Sequence, residues 1–261
     1  MKLIQSRDNP LYKELVKLFG SARQRGKVNQ TLLDGAHLLA SYLDAGMQPQ
    51  HVLINNAALS DTEITALLGR MDAVPVTQLD EKLFAKLSEL KTPTGIIALI
   101  DVPVPDTPVS QSRFALLLED IQDPGNLGSM LRSAAAAGCD AVFLSPGCAD
   151  AWSPKVLRAA MGGHFALQIH ELQDLPGVAK GFSGTLLAAS LQAKHNLYDC
   201  DLSGNLALLI GNEGAGLSSE LLNLATQRIT IPMHGKVESL NAAAATAICL
   251  FEAARQRQMK T

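Results

Sequence analysis

LLLEDIQDPGNLGSMLRSAAAAG, residues 116–138, is the stretch that decides the expected fold. It opens with an apolar run that is typical of a strand covered on both faces of a parallel sheet. The run breaks at the turn Asp123-Pro124-Gly125 and restarts as an alanine-rich helix. A strand that passes through a polar turn into a helix is the repeating unit of a parallel α/β sheet. The stretch therefore predicts an α/β domain whose polar residues follow a strand end.

Two later segments repeat this order of strand, polar loop and helix. They are ALLIGNEGAGLS at residues 207–218 and ITIPMHGKVESLNAAAATA at residues 229–247. Ligands of parallel α/β sheets collect at the carboxyl ends of the strands. We therefore expect the three segments to contribute to one composite site.

Each segment also has a purely local explanation. Asn126 is placed to cap a helix on which Arg132 would be a solvated side chain, and Ser239 is placed to cap the last helix. The glycines among residues 211–216 permit positive φ angles and close approach of the backbone to a ligand. Turn chemistry alone does not account well for the adjacent polar residues Asn212 and Glu213 inside that loop. The case for a site depends on the three segments together.

The rest of the chain alternates strand and helix patterns on both sides of VPVPDTPVSQS, residues 102–112. Three prolines exclude a helix or a central strand there and indicate a semi-extended linker. We therefore predict a small three-layer α/β domain over residues 1–101. A second α/β domain, with a parallel sheet, is predicted over residues 113–261.

Local signals predict individual elements. Asn9 and Pro10 mark the start of a helix, as N-cap and first helical residue. Residues 21–27, SARQRGK, are expected to form an exposed basic loop, and residues 81–90 an amphipathic helix. Residues 165–170, FALQIH, are expected to form a strand of the second domain.

Composition excludes several classes of protein. Hydrophobic residues make up 47% of the 261-residue chain, enough for a sizeable core, whereas aromatics are only 4%, too few for a main base-stacking platform. The four cysteines and six histidines show no spacing typical of metal ligands, so no metal site is expected. The cysteine usage indicates a reduced, cytoplasmic setting. No stretch resembles a cleaved signal or a membrane span, and we expect no membrane association.

Charge is unevenly distributed. Residues 1–27 hold seven basic and two acidic side chains, a net charge of +5, although the whole chain carries −3. A basic arm on an acidic body indicates contact with a polyanion. A solvated helix face explains the same pattern, and charge alone leaves both explanations open.

Common nucleotide and hydrolase motifs do not fit. The glycines of GNEGAG, residues 211–216, have the wrong offsets for the dinucleotide fingerprint GxGxxG and do not follow the first strand. No P-loop, GxSxG or HExxH motif occurs. An α/β enzyme that uses another nucleotide is therefore disfavoured.

The three segments together are specific. They read N-x-G-x-x-x-R at residues 126–132, G-N-E-G-x-G at 211–216 and I-P-M-x-G-x-V-x-S-L-N at 231–241. On these motifs the chain is identified as a member of the SpoU/TrmH family of RNA ribose 2′-O-methyltransferases, of the SPOUT class. The N-terminal S-x-x-N-P-x-x-K and DGAHLL more loosely resemble the family's small RNA-binding domain, which is similar to certain ribosomal proteins.

The resemblance implies fold and partners. The second domain would be a SPOUT-type parallel sheet with a C-terminal trefoil knot, a feature that periodicity does not reveal because knots are almost absent from proteins. The knot would bind S-adenosylmethionine. Two subunits would pack as a homodimer to complete the sites. No metal is needed, because the cofactor already carries its leaving group.

The resemblance also implies residue roles. Arg132 would activate the ribose hydroxyl, and because an arginine side chain keeps its proton at neutral pH, a role in orienting the ribose or stabilising charge is favoured over that of a base. The catalytic set implied by the motifs is Asn126, Arg132, Glu213, Ser239 and Asn241. The cofactor-binding set is Gly211, Asn212, Gly216, Ile231, Met233 and Leu240. The basic residues expected to bind the RNA backbone are Lys13, Arg23, Arg25 and Lys27.

One departure from the family pattern concerns the third motif. Many members continue it as S-L-N-V-S, whereas this chain has Ala242 and Ala243 after Asn241, so one hydroxyl contact is missing.

The resulting expectation is methyl transfer from S-adenosylmethionine to a ribose 2′-hydroxyl of RNA. The ribosomal-protein-like first domain favours ribosomal RNA of the 23S type over transfer RNA. Two alternatives are a transfer-RNA 2′-O-methyltransferase and a non-catalytic RNA-binding module of the same fold.

Overall fold

The computed structural model describes residues 1–71 and 73–259. It divides the chain into two compact units. Unit 1 consists of Met1–Pro103 together with the distant segment Trp152–Phe165, and unit 2 is the remainder. The junction between Pro103 and Val104 lies inside the segment predicted as a linker.

The elements of Met1–Pro103 alternate between strands and helices. The strands are β1 (Lys2–Ile4), β2 (Gln30–Asp34), β3 (His51–Ile54), β4 (Val76–Leu79) and β5 (Ile96–Asp101). The helices are α1 (Pro10–Gly20), α2 (Ala22–Val28), α3 (Ala36–Asp44), α4 (Thr62–Leu68) and α5 (Glu81–Phe84).

The same alternation continues beyond Pro103. The strands are β6 (Phe114–Leu118), β7 (Ala141–Leu144), β8 (Gln168–His170), β9 (Thr185–Ala189), β10 (His195–Asn196), β11 (Leu206–Ile210) and β12 (Gln227–Thr230). The helices are α6 (Pro124–Ala137), α7 (Pro154–Ala160), α8 (Leu175–Gly181), α9 (Ser219–Leu224) and α10 (Ala242–Gln258).

The sheet of unit 1 is mixed. Its order over the described residues is β1-β4-β3-β5-β2, in which β5 runs antiparallel to both of its neighbours. Leu15 of α1 and Leu53 of β3 are fully buried in the core that joins helices and sheet. The predicted start of α1 is confirmed, because the Asn9 Oδ1 accepts hydrogen bonds from the backbone N–H groups of Leu11 and Tyr12 at 3.0 and 3.4 Å.

The predicted basic loop at residues 21–27 is wrong, because this segment forms α2. Arg25 is only 7% exposed. Its guanidinium donates to the carbonyl oxygens of Leu18 and Phe19, at the end of α1. These carbonyls have no partner within their own helix, so Arg25 stabilises the junction of α1 and α2. Its position does not offer the guanidinium to RNA.

Two other predicted elements are shorter in the structure. The helix expected over residues 81–90 ends at Phe84 and continues as one 3₁₀ turn to Leu87. Within residues 165–170, only Gln168–His170 is a strand, because the preceding residues form a 3₁₀ turn.

Segment Trp152–Phe165 contains α7 and packs with unit 1, although it follows β7 in sequence. The Thr31 hydroxyl of β2 donates to the Trp152 carbonyl oxygen at 2.7 Å. The rings of Tyr42 and Phe165 meet edge to face with centroids 5.1 Å apart. Sequence spacing does not reveal contacts between residues more than a hundred positions apart. The packing of Trp152–Phe165 with unit 1 was therefore not predicted.

The sheet of unit 2 is parallel throughout its described pairs, with the order β10-β12-β9-β11-β6-β7-β8. Every residue of β6 and β11 is buried. Their ends lie side by side, because Leu118 is the register partner of Ile210. The expected α/β class with a parallel sheet covered on both faces is confirmed.

The cysteines are free thiols. Burial raises the pKa of the Cys249 thiol, in α10, to about 12. Over the described part of the chain, no helix combines the length and apolar character needed to cross a membrane, and no cluster of three metal-ligating side chains occurs.

Candidate active site at the carboxyl ends of the parallel strands

A cavity of about 760 Å³ opens in unit 2 where three neighbouring strands end. Ala189 closes β9, Ile210 closes β11 and Thr230 closes β12, and all three residues line it. The carboxyl ends of parallel strands share one edge of a sheet, so the loops that follow them meet there.

The structure brings the three polar segments together at this cavity. Asn126 comes from the start of α6, Glu213 from the loop after β11, and Asn241 from the start of α10. The composite site expected from the sequence is therefore seen in the geometry of unit 2.

Three side chains in the cavity form a hydrogen-bonded relay. The Asn241 Nδ2 donates to the Asn126 Oδ1 at 2.9 Å. The Asn126 Nδ2 in turn donates to the Glu213 Oε1 at 2.9 Å. The relay joins all three sequence motifs through amide and carboxylate groups.

The direction of the relay is fixed by the end of a helix. The Asn241 Oδ1 accepts from the N–H groups of Ala243 and Ala244 at 2.9 and 3.2 Å, so Asn241 is the N-cap of α10. Its Nδ2 must then face Asn126 and can meet only an acceptor, which turns the Asn126 Nδ2 toward Glu213. The amide orientations follow from the network itself.

Both helix caps expected at this site belong to other residues. Asp123, and not Asn126, caps α6, since its Oδ1 accepts from the Asn126 N–H at 2.7 Å. Asn241, and not Ser239, caps α10. The cap of α6 lies three residues before Asn126, and the cap of α10 lies two residues after Ser239. Asn126 and Ser239 therefore do not serve as caps, and both line the cavity.

The Asn212 side chain stabilises the glycine loop, residues 211–216. The Asn212 Oδ1 accepts from the N–H groups of Gly214 and Ala215 at 2.9 and 3.0 Å. The Asn212 Nδ2 donates to the Asp120 carbonyl oxygen at 2.9 Å, which ties the loop to the end of β6. Gly216 has a φ of +72°, a conformation that favours glycine.

Gly211 permits the tightest approach within this loop. A Cβ at this position would lie 2.2 Å from the Gly216 carbonyl carbon and 2.3 Å from the Leu217 nitrogen. Backbone atoms cannot turn away as a flexible side chain can, so any side chain would open the loop.

We expect Gly211→Ala to lower the affinity for S-adenosylmethionine at least tenfold and to destabilise unit 2 by about 1–3 kcal/mol, the usual cost of overpacking. Calorimetric titration and thermal unfolding measure the two effects. Gly204→Ala is the matched control, because a Cβ at Gly204 would meet no atom within 4 Å. Equal affinities for the two variants would contradict the inferred close approach.

All six residues expected to contact the cofactor line the cavity. Those residues are Gly211, Asn212, Gly216, Ile231, Met233 and Leu240. Ser239 lines it as well.

Arg132 does not line the cavity of its own chain. It lies exposed on α6, and within the described residues it forms no hydrogen bond or ion pair. Of the basic residues expected to meet RNA, Lys13, Arg23 and Lys27 are exposed on α1 and α2, whereas Arg25 is buried.

Residues 189–192, which begin at the last residue of β9, were not predicted to belong to the site. Ala189, Ser190, Leu191 and Gln192 line the cavity beside the glycine loop. Their signal was the change from the apolar run TLLAA to polar residues at a strand end. This segment contains no glycine and no distinctive polar motif that would mark it as part of a site.

Family models match both halves of the chain. Residues 113–251 match the SpoU rRNA Methylase family, and residues 9–98 match the MRM3-like substrate binding domain. The chain belongs to the SpoU rRNA methylase family. The matched range includes all three motifs that meet at the cavity.

Individual relatives are similar over nearly the whole chain. The 23S rRNA (guanosine(2553)-2′-O)-methyltransferase RlmP of Bacillus subtilis is 34% identical, with 96% of this chain and 98% of the relative covered. An uncharacterized tRNA/rRNA methyltransferase of Synechocystis is 36% identical, with 97% and 94% covered. The structure of the SpoU methyltransferase AviRb from Streptomyces viridochromogenes in complex with AdoMet superposes with a TM-score of 0.83 at 26% identity, covering 96% and 100%.

These similarities confirm the principal expectations from the motifs. The chain is an RNA 2′-O-methyltransferase of the SpoU family. Its cofactor is S-adenosylmethionine. The trefoil knot and the individual residue roles stay predictions.

Proposed function

We propose that this SpoU-family enzyme methylates a ribose 2′-hydroxyl in ribosomal RNA of the 23S type, in the cytoplasm. The observation that carries the proposal is the relay from Asn241 through Asn126 to Glu213 at the mouth of the 760 Å³ cavity. The RNA class is supported by the similarity to RlmP, which is named for 23S ribosomal RNA. Four free thiols support a reduced compartment.

The cavity has the character of a nucleoside site. Its volume lies within the usual range for small-molecule pockets. Leu217 and Leu240 offer apolar surface for a purine, and the glycine loop, which closes tightly at Gly211, contributes backbone N–H and C=O groups to the cavity wall. These residues fit S-adenosylmethionine, which supplies an activated methyl group when bound.

The residues of the chain position the acceptor. A ribose hydroxyl is a weak nucleophile, so holding it in line at near-attack distance is the main contribution of the protein. Asn126 and Glu213 form a rigid polar edge, because the relay is anchored on the N-terminus of α10. Ser239 adds a hydroxyl to the same cavity for an RNA contact.

We further propose a homodimer in which each protomer completes the partner's site. The exposed side of α6 presents Gly125, Ser129, Arg132 and Ala136 at a spacing that keeps them on one face. On α10, Phe251 is 50% exposed. Small residues allow a second helix to approach closely, and a second copy packed there would bring Arg132 to a cavity that it does not line within one chain.

The exposed basic residues of α1 and α2 would bind the RNA backbone. We expect Arg23→Ala combined with Lys27→Ala to weaken RNA binding and to lower the slope of log K against log salt by about 1.4–1.8, because each phosphate contact contributes about 0.7–0.9. Fluorescence anisotropy over a salt series measures both quantities. Arg70→Ala is the control, because this exposed arginine of unit 1 already pairs with Asp44 at 2.6 Å. An unchanged slope in the double variant would show that Arg23 and Lys27 do not contact the RNA backbone.

The proposed function is tested by incubating the purified protein and labelled S-adenosylmethionine with 23S ribosomal RNA, 16S ribosomal RNA or bulk transfer RNA. We expect label in the 23S species, at a ribose that resists alkaline cleavage. Label found only in transfer RNA would show that the substrate is transfer RNA and not ribosomal RNA. RNA binding without transfer to any species would favour the non-catalytic alternative.

A further inference from the structure

We propose that Glu213 is the proton acceptor for the ribose 2′-hydroxyl. The inference rests on the proposed function and assigns a chemical role within that same site. It follows from three observations: the composition of the cavity wall, the orientation of the carboxylate and the position of Arg132.

The cavity wall holds one ionisable side chain. Among the described residues that line it, all but Glu213 are apolar, amide, hydroxyl or thioether side chains or glycines. Neither a hydroxyl nor an amide accepts a proton at neutral pH. Glu213 is therefore the only group of the described wall that can take up the proton lost by the acceptor.

The carboxylate is held so that one oxygen remains for the substrate. Its Oε1 accepts from the Asn126 Nδ2 at 2.9 Å. Its Oε2 has no hydrogen-bond partner in the described part of the chain. The relay fixes Asn126 as a donor, so the carboxylate is oriented without being neutralised. Arg132 of the same chain does not line the cavity, so among the described residues of one chain no cation pairs with this carboxylate.

Arg132 is poorly suited to the same role. An arginine side chain keeps its proton at any physiological pH, so it has no free site for another. As a cation brought by a partner subunit, it would instead attract the ribose oxygen and the adjacent phosphate. The two residues would divide the work, with charge stabilisation by arginine and proton acceptance by the carboxylate.

The step balances with Glu213 in this role. The ribose 2′-oxygen forms a bond to the methyl carbon, and the carbon–sulfur bond breaks with its electron pair left on sulfur. The sulfonium charge is thereby lost, and the 2′-hydroxyl proton passes to the Glu213 Oε2. The oxygen becomes strongly acidic as the new bond forms, so a carboxylate is basic enough to receive the proton. Solvent then takes the proton from the carboxyl group.

Glu213→Gln tests the assignment, because glutamine keeps the shape of the side chain and loses its basicity. We expect kcat to fall by about 10²-fold to 10⁴-fold, the usual contribution of a general base. The Kd for S-adenosylhomocysteine, measured by calorimetry, and the melting temperature should stay close to those of the unmodified protein. Glu220→Gln is the matched control, because Glu220 is an exposed carboxylate on α9 that does not line the cavity. The control should retain full activity.

Chemical rescue separates a base from a positioning group. In Glu213→Ala, sodium formate should restore methyl transfer in proportion to its concentration, whereas sodium chloride at equal ionic strength should not. Asn126→Ala should show no rescue, because its loss removes an amide.

The outcomes distinguish failure of the proposed function from failure of the role proposed for Glu213. Methyl transfer to RNA by the unmodified protein tests the proposed function, and an inactive protein would overturn both proposals. Given that activity, a Glu213→Gln variant within fivefold of full kcat would overturn the role of Glu213 alone. A parallel loss of cofactor affinity, or the absence of formate rescue in a folded variant, would also overturn it.

Discussion

Arg132→Ala is expected to abolish methyl transfer while the affinity for S-adenosylmethionine stays within a few fold of its original value. The arginine lines no part of the cofactor cavity in its own chain, so its loss should not disturb cofactor binding. Its place in the first motif implies that it acts on the ribose or phosphate as charge develops. Removing such an electrostatic contact typically costs about 10²-fold to 10³-fold in kcat, and loss of acceptor orientation adds to this.

Single-turnover assays and calorimetry measure the two quantities separately. Lys180→Ala is a suitable control, because Lys180 is an exposed cation of unit 2 that pairs weakly with Glu220 at 3.7 Å. Substantial turnover by Arg132→Ala on its native RNA would remove the residue from the mechanism.

Mixing variants tests whether Arg132 acts across subunits. A heterodimer of an Arg132→Ala protomer and a Glu213→Ala protomer would keep one intact site if each site takes its arginine from the partner. The same heterodimer would have no intact site if both residues served one chain. Partial recovery of activity on mixing two inactive variants therefore supports the shared site, and no recovery in a verified heterodimer contradicts it.

The parallel sheet was predictable from the sequence because its signal is local. Buried strands such as 206–210 appear as continuous apolar runs, and the strand-end rule then places their loops on one edge. Each of the three motifs could be located in this way without any knowledge of contacts. The same rule applied to TLLAA would have found residues 189–192 as part of the cavity.

Features that depend on distant contacts were not predictable. Arg25 looked like part of a charged, solvated loop, but its guanidinium satisfies carbonyl groups at the end of the preceding helix. Segment Trp152–Phe165 lies within the range of the methylase family yet packs with unit 1. In both cases the deciding partner is set by tertiary packing, which periodicity does not record.

The caps show how a local error can conceal a functional arrangement. Asn126 and Ser239 were both plausible N-caps, and a capping side chain would be turned toward its own helix. Because Asp123 and Asn241 take these places, the Asn126 amide is available to link the other two motifs. The relay therefore could not be derived from spacing alone.

Substitutions of Asn241 should separate its two roles, which are to cap α10 with the Oδ1 and to donate the Nδ2 hydrogen bond to Asn126. Asn241→Asp retains an excellent cap, because a carboxylate is favoured at a helix N-terminus. It replaces the Nδ2 donor by a second acceptor, so Asn126 must rotate to donate to it. Rotation turns the Asn126 Oδ1 toward Glu213, and the carboxylate loses its donor. We expect normal stability with a kcat reduced about 10-fold to 100-fold, the equivalent of one lost hydrogen bond to a charged group.

Two further variants complete the comparison. Asn241→Ser keeps a capping oxygen but offers no amide to Asn126, so it should lose activity while remaining stable. Asn241→Ala should lose activity and about 1 kcal/mol of stability, because the cap is also removed. Steady-state kinetics and thermal unfolding on the three proteins measure the two effects. If kcat followed stability across the series, with Asn241→Asp as active as the original protein, Asn241 would act only as a cap and the relay would have no part in catalysis.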